Sequence, residues 1–434
     1  MAARETALNV LIAVRKENAW SNGILKTYIQ RDKLSPKDAA LATRLCYGVI
    51  QNRTLLDFYL QQLLTGKLKD LHPVVRDILH LGLYQIYRMD RIPDSAAVNE
   101  SVQLAKKYCS FSKASGLVNG VLRNAVRTAG KLEEPKGYAE KYSHPQELID
   151  FLKGYVGSLH LAHMLEANNA IPPMTVQVNL KKISVTALLE QFEQEGVVAR
   201  SHSVFPQCLI LENTGNIEQL PSFQDGFFYV QDPAAWLSVQ CAQIKEGDRV
   251  LDCCSAPGGK SFAAAICGAT EIISCDIHPH KIQLIEKGAD RLGFHQIKAL
   301  CKDATEFVPD WQEMMDVVIA DVPCSGYGII RKKPDIRYKL PSKMADLPEL
   351  QSKILRNQAR YVRPGGTLLY STCTLAYREN EGVVEAFLRE HPEFKLRELP
   401  LPAVIDQMEM GMLRLIPGEY DTDGFFICCM RREK

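Results

Sequence analysis

Apolar residues recur at helical spacing through the first 130 positions, then alternate in short strand-length runs for most of the remaining chain. Leu8, Leu11, Ile12 and Val14, followed by Ile24 and Leu25, define the first helices. Pro36, with Ser35 as its cap, opens a helix through Leu41, Leu45 and Val49. Pro73 opens another, with Val74, Ile78, Leu81 and Ile86 on one face. Helices are also predicted over 96–107 and 117–126. With short loops and no strand signal, residues 1–130 read as an all-α bundle.

Residues 131–142 are charged and carry Pro and Gly, as a linker does. Residues 143–228 predict two helices and then a small α+β connector. After the Pro172-Pro173 break, strands at 175–180, 208–211 and 226–230 surround a helix at 185–195. From 229 to 434 strands at 249–252, 271–275, 297–300, 316–320 and 366–370 alternate with helices. Repeated βα units predict a parallel sheet covered on both faces. A terminal hairpin near 413–416 and 424–430 is expected to add an antiparallel edge.

Composition changes this picture little, and charge distribution changes it more. The 434 residues are 46% hydrophobic, enough for more than one core. No apolar run approaches the ~20 residues a membrane span needs, and the N-terminus lacks the apolar block of a signal peptide. The 13 cysteines form no CxxC pair and no zinc-type spacing, so neither a metal nor a disulfide framework is predicted and a reducing cytoplasm is expected. Net charge is only +1, yet residues 1–135 hold 20 Lys+Arg against 12 Asp+Glu, and the remainder 32 against 39. A basic block on a mildly acidic chain suggests an anionic partner, or a bundle that is simply basic. Candidate contacts are Arg4, Lys37, Arg44 and Arg53.

Chemistry concentrates where strands end. Cys254-Ser255-Ala256-Pro257-Gly258-Gly259-Lys260 follows the first strand of the α/β region and opens a helix. Small residues let backbone approach a ligand closely, and a helix start attracts negative charge. The spacing is neither GxGxxG nor a P-loop. Asp276 closes the next strand, the position at which such folds hold ribose hydroxyls, and Asp303 follows the third, within reach of an adenine amino group. Asp316 starts a strand and reads as a turn or cap residue. The ligand described is a nucleoside with a small charged tail, which S-adenosylmethionine fits better than a dinucleotide. Lys260 is placed to orient either Asp321 or the carboxylate of that tail.

Two cysteines stand apart. Cys46, Cys208, Cys241, Cys267, Cys275, Cys428 and Cys429 read as small buried hydrophobes. Cys324, in Asp321-Val322-Pro323-Cys324-Ser325-Gly326, and Cys373, in Ser371-Thr372-Cys373-Thr374, both lie just past strand ends on the edge that carries the glycine loop. A disulfide between them is the alternative to a pair of free thiols. A basic run, Arg331-Lys332-Lys333 with Arg337 and Tyr338, is suited either to holding phosphates and stacking a base or to a solvated loop.

These motifs resemble the RNA (cytosine-5)-methyltransferase family. Its carboxylate-x-Pro-Cys segment is shared with DNA cytosine methyltransferases, and the additional Thr-Cys segment marks the RNA enzymes. Residues 97–108 and 117–123 are similar to the final helices of the antitermination factor NusB, an RNA-binding bundle. The resemblance spans the whole chain. It implies a Rossmann-like catalytic domain, S-adenosylmethionine as cofactor, and small-subunit (16S) ribosomal RNA as partner, with transfer RNA the sister reading. A monomer is expected. By position it makes Cys373 the nucleophile, gives Cys324 the later release step, and puts Cys254, Ser255, Ala256, Pro257, Gly258, Gly259, Lys260, Asp276, Asp303 and Asp321 in the cofactor site. Val322, Tyr327 and Lys333 stand where the family commonly has Ala, Thr and His, which bears on substrate contacts around 327–333. A NusB-like assembly factor without catalysis is the competing class, and the intact cysteine pair speaks against it.

Overall fold

The computed structural model describes all residues except Met1, Asn18, Ala19, Ser112, Gln407, Glu409 and Lys434. The chain forms two compact units, one of residues 1–154 with 330–341 and one of residues 155–329 with 342–434.

The first unit contains helices α1 (Ala2–Glu17), α2 (Ser21–Arg31), α3 (Pro36–Leu63), α4 (Pro73–Arg88), α5 (Asp94–Tyr108) and α6 (Ala114–Arg127). Ser35 caps α3, its hydroxyl accepting from Asp38 N, and Pro36 takes the first-turn position. Leu8, Leu11, Leu45, Val49, Ile78, Leu81, Leu104 and Leu122 meet in one core. The contribution of 330–341 was not visible in the sequence. Asp335 accepts from the backbone N–H of Ser21 at 3.3 Å and from its hydroxyl at 2.5 Å. Arg337 is completely buried and donates to the carbonyls of Gln51 (2.7 Å) and Ser143 (3.0 Å). The Tyr338 hydroxyl donates to Ile50 O at 3.0 Å. Arg337 is therefore spent inside this unit and cannot hold phosphate as the basic run suggested, while Tyr338 is half-buried with its hydroxyl engaged by the bundle. Lys332 and Lys333 are exposed.

A buried guanidinium that satisfies two carbonyls is hard to replace. Arg337→Ala strands both acceptors, and we expect it to lower stability by about 3 kcal/mol. Denaturant unfolding of the full chain measures this; a loss below about 0.5 kcal/mol would contradict the buried role.

The two helices expected after the linker form Gln146–Ala167, broken at Gly157, whose φ of 71° is outside the helical range. In the second unit, a four-stranded antiparallel sheet contains β1 (Met174–Val178), β2 (Val198–Ser201), β3 (Cys208–Glu212) and β4 (Phe228–Val230), in the order β2-β3-β1-β4. Helix α7 (Val185–Gln194) buries Leu188 and Phe192 in its core. The short strand β2 escapes the sequence pattern because its residues are mostly exposed.

The larger sheet holds β5 (Arg249–Asp252), β6 (Glu271–Asp276), β7 (Ile297–Cys301), β8 (Met315–Asp321), β9 (Val362–Thr372), β10 (Phe394–Leu396), β11 (Met412–Leu415) and β12 (Phe425–Arg432). Its order is β10-β12-β9-β8-β5-β6-β7, with β11 paired to β12. The pairs from β7 to β9 are parallel, and β12 runs antiparallel to β9. The terminal hairpin thus adds the antiparallel edge expected, with β11 and the short strand β10 pairing successive stretches along the far side of β12. Its Phe425, Phe426, Ile427, Cys428, Cys429 and Met430 are buried without alternation, as an internal strand requires. The chain leaves β5 toward β6 and β7, then returns on the other side as β8. A crevice opens at such a reversal, outside the carboxyl ends of the strands.

Candidate active site

At that reversal β5 ends in Asp252 and β8 in Asp321. From Asp252 the chain passes through Cys253 and Cys254 into a loop with a cis Ala256–Pro257 bond, then into helix α8 (Gly259–Cys267). Gly258 has φ +111°, and a Cβ there would lie 2.4 Å from the Phe262 ring, so only glycine fits this turn. Cys254, Ser255, Ala256, Pro257, Gly259, Lys260 and Asp321 line one cavity, together with Gln231 and Asp252. Gly258 belongs to the loop that shapes it. The sequence did not single out Asp252 or Gln231. A strand-end aspartate next to the glycine loop was the available signal for the first.

Asp252 is fully buried, and burial pushes its carboxyl up to about 7 against the lowering effect of the Ser261 hydroxyl and Lys260. Its Oδ2 accepts from Ser261 Oγ at 2.8 Å, whereas its Oδ1 and the Ser255 hydroxyl are buried with no hydrogen-bond partner among the described residues. Buried polar atoms left open around a cavity call for a polar ligand. A nucleoside with an amino-acid tail suits them, since its ammonium group would draw Asp252 back to its charged form.

Asp276 and Asp303 sit at the same sheet edge but not in this lining. Asp276 accepts from His278 N at 3.0 Å and pairs with Lys281 at 3.3 Å. Asp303 uses Oδ1 for Thr305 N and Oγ1, both at 2.8 Å, as a turn residue does, and lines a separate recess with Cys253 and Cys275. Asp316 accepts from Arg249 N at 2.8 Å, the structural part expected of it.

Strand register brings the remaining groups together. Asp321 of β8 stands beside Ser371 of β9, and the Ser371 hydroxyl donates to Asp321 Oδ1 at 2.8 Å. Lys260 Nζ donates to Asp321 Oδ2 at 2.6 Å, so Lys260 orients Asp321. Past the strand ends both chains turn together. Ser325 Oγ and Thr374 Oγ1 share a hydrogen bond of 2.7 Å, and Gly328 N donates to Cys373 O at 2.9 Å. The result is Cys324 Sγ at 3.2 Å from Cys373 Sγ, both free thiols and both half-buried. The hydrogen bond to Cys373 and burial raise the Cys324 thiol well above its ordinary range, with Glu379 and Asp321 adding to the effect.

Among the other cysteines, Cys46, Cys208, Cys241, Cys275, Cys428 and Cys429 are buried as expected, while Cys267 is only partly so. Of the basic candidates, Lys37 and Arg44 are exposed on α3. Arg53 lies 5.4 Å from the Tyr338 ring centroid, and Arg4 donates to Gln85 at 2.7 Å.

A Rossmann-like sheet with a glycine-lined cradle at its switch point, in a chain that opens with a helical bundle, defines a multidomain methyltransferase. Three family models match in series: the NusB family over residues 1–127, a ferredoxin-like domain of RsmF/B-type methyltransferases over 144–218, and 16S rRNA methyltransferase RsmB/F over 239–431. The probable ribosomal RNA small subunit methyltransferase B of Bacillus subtilis is 37% identical, covering 100% of this chain and 99% of that protein. Ribosomal RNA small subunit methyltransferase B of Vibrio vulnificus is 32% identical, with 100% of both chains covered. The chain belongs to the ribosomal RNA small subunit methyltransferase B family. Among solved structures, PH0851 matches in fold with a TM-score of 0.80 at 24% identity, over 99% of this chain and 97% of its own. NSun6 from Pyrococcus horikoshii, solved with SFG, matches with a TM-score of 0.59 at 21% identity, over 67% of this chain and 98% of its own.

Proposed function

We propose that this ribosomal RNA methyltransferase acts on C5 of a cytosine in 16S ribosomal RNA, through a transient bond between Cys373 Sγ and C6 of the base. The supporting observation is the pair of free thiols 3.2 Å apart, next to the Lys260–Asp321 pair that lines the glycine-rich cavity. S-adenosylmethionine is the methyl donor and supplies an electrophilic methyl group on a sulfonium sulfur. Cys254, Ser255, Ala256, Pro257, Gly258, Gly259 and Lys260 form its cradle in this reading. Asp252 receives its amino group, Asp276 its ribose hydroxyls and Asp303 its adenine amino group. Residues 1–130 bind RNA, 143–228 connect, and 229–434 catalyse.

Cytosine C5 is too weak a nucleophile to take a methyl group unaided. Addition of the Cys373 thiolate to C6 makes C5 enamine-like and splits one hard step into two easier ones. Asp321, fixed by Lys260 and Ser371, bonds the N3/N4 edge of the base and stabilises the charge that develops there. After C5 is methylated, its proton must leave and the C6–S bond must break. Cys324 Sγ takes the C5 proton as its own proton passes across the 3.2 Å contact to Cys373. The C5–H electron pair becomes the C5=C6 double bond, and the C6–S pair returns to Cys373 Sγ. A base stacked in a helix is out of reach of a thiol, so the target is single-stranded or flipped, at a cost of a few kcal/mol.

The reading is tested by methylating 16S ribosomal RNA with labelled donor and digesting the product to nucleosides. All label is expected in 5-methylcytidine. Label in N4-methylcytidine, or faster labelling of transfer RNA than of 16S RNA, would overturn it.

A further inference from the structure

One carboxylate beneath the thiols has no part in the steps above. Glu379 lies in the single turn Tyr377–Glu379 that follows the Cys373 loop, and it is completely buried. Its Oε2 accepts from Ser325 N at 2.9 Å and from Gln351 Nε2 at 3.0 Å. The same Gln351 nitrogen donates to Pro323 O at 2.9 Å. The carbonyl before Cys324 and the amide after it are therefore both held by the Gln351–Glu379 pair. The Tyr370 hydroxyl, from β9, donates to the Glu379 carbonyl at 2.5 Å, which fixes the turn itself.

A loop staple alone does not require a charge. A glutamine in this place would accept the Ser325 N–H equally well, and burying an ionised carboxylate costs several kcal/mol unless it is well paired. Two N–H donors converging on one oxygen suit the ionised form. The other oxygen, Oε1, is buried with no hydrogen-bond partner among the described residues. What the charge adds is an electrostatic bias at the neighbouring thiol. The charges that act on the Cys324 thiol come from Cys373, Glu379 and Asp321, with the buried Tyr370 phenol also close enough to interact with it, and Asp321 is compensated by Lys260. Glu379 is the carboxylate in that group for which no cation is seen among the described residues.

We propose that Glu379 is the positioning residue that divides labour between two otherwise identical thiols: it aims Cys324 at Cys373 and keeps the proton on Cys324, so that Cys373 attacks and Cys324 relays. The inference rests on the two-thiol reading above. It explains why thiols in contact do not compete for the same base. The thiol that stays protonated cannot add to C6, and it has a proton to hand over when the C6–S bond breaks.

The test has two readouts. The first is alkylation of Cys324 by iodoacetamide as a function of pH, followed on the Cys324 peptide by mass spectrometry in the Cys373→Ser background. Adding Glu379→Gln is expected to move the profile to lower pH by about one unit, which at neutral pH is roughly tenfold faster alkylation. Glu379→Asp keeps the charge and should restore the parental profile, even if the shorter side chain costs stability. The second readout is the denaturation-resistant protein–RNA adduct in otherwise intact enzyme. Cys324→Ser and Glu379→Gln should both accumulate it, with KM for RNA unchanged within about threefold and kcat reduced about 100-fold in Glu379→Gln. An unmoved alkylation profile, or no excess adduct in Glu379→Gln while Cys324→Ser accumulates it, overturns the role of Glu379 alone. Absence of adduct in Cys324→Ser overturns the underlying two-thiol reading instead.

Discussion

Cys373→Ser is expected to lose methyl transfer by about 10⁴-fold or more while RNA and donor still bind within a few-fold of the parent. The substitution changes one atom. Hydroxyl and thiol fill nearly the same space, so the Gly328–Cys373 backbone bond and the Ser325–Thr374 bond remain. What disappears is an easily ionised, polarisable nucleophile. A thiol is a few per cent ionised near neutral pH, and an alcohol effectively not at all without a strong base beside it. In the proposed site the partners available are Cys324, which the proposal keeps protonated, and Asp321, already bonded to Lys260 and Ser371. None can activate a hydroxyl. Single-turnover transfer to 16S RNA, with binding measured separately, gives the answer. Retention of more than about 1% of the rate would mean that C6 is not attacked by this residue. It would also reopen the assembly-factor reading for the cysteine pair.

Much of this arrangement was legible in the residues because it follows from strand ends. Three apolar runs finishing in Asp252, Asp321 and Thr372 place their following residues on one edge of a parallel sheet. The register of Asp321 with Ser371 then leaves two cysteines no option but proximity. Three features escaped for different physical reasons. Residues 330–341 are polar and basic, the pattern of a solvated loop, yet Arg337 is buried because backbone carbonyls of the bundle receive its guanidinium. Such carbonyls leave no trace in side-chain periodicity. Glu379 is a buried carboxylate whose meaning lies in a partner 54 residues away, beyond any local pattern, whereas Asp252 had a local signal in its place between a strand end and the glycine loop. Strand β10 went unseen because Phe394-Lys395-Leu396 is too short a run to read as a strand, and only its pairing with the end of β12 makes it one.

Asp321→Asn should reduce the rate of transfer about 10³-fold, the scale of removing one preorganised charge-stabilising group. The isosteric amide is a demanding test, because the site dictates how it can sit. One carboxylate oxygen meets the Lys260 ammonium at 2.6 Å and the other the Ser371 hydroxyl at 2.8 Å. An amide nitrogen facing Lys260 sets donor against donor. Turned the other way it faces Ser371, whose hydroxyl can rotate to accept, so that orientation should win and the fold should persist. The variant then keeps one acceptor for Lys260 but loses the negative charge that opposes it. Lys260, nearly buried, is left with a partner of half the strength, which should cost about 1–2 kcal/mol of stability. The kinetic loss is larger than this structural one because the charge matters most when C6 is attacked and the base edge becomes electron-rich. The two effects separate in Lys260→Met. That change removes the pairing cation but leaves Asp321 ionised and held by Ser371, so it should damage stability comparably and transfer much less, by about tenfold. If Lys260→Met proves as slow as Asp321→Asn, the charge on Asp321 is serving the ion pair and not the base.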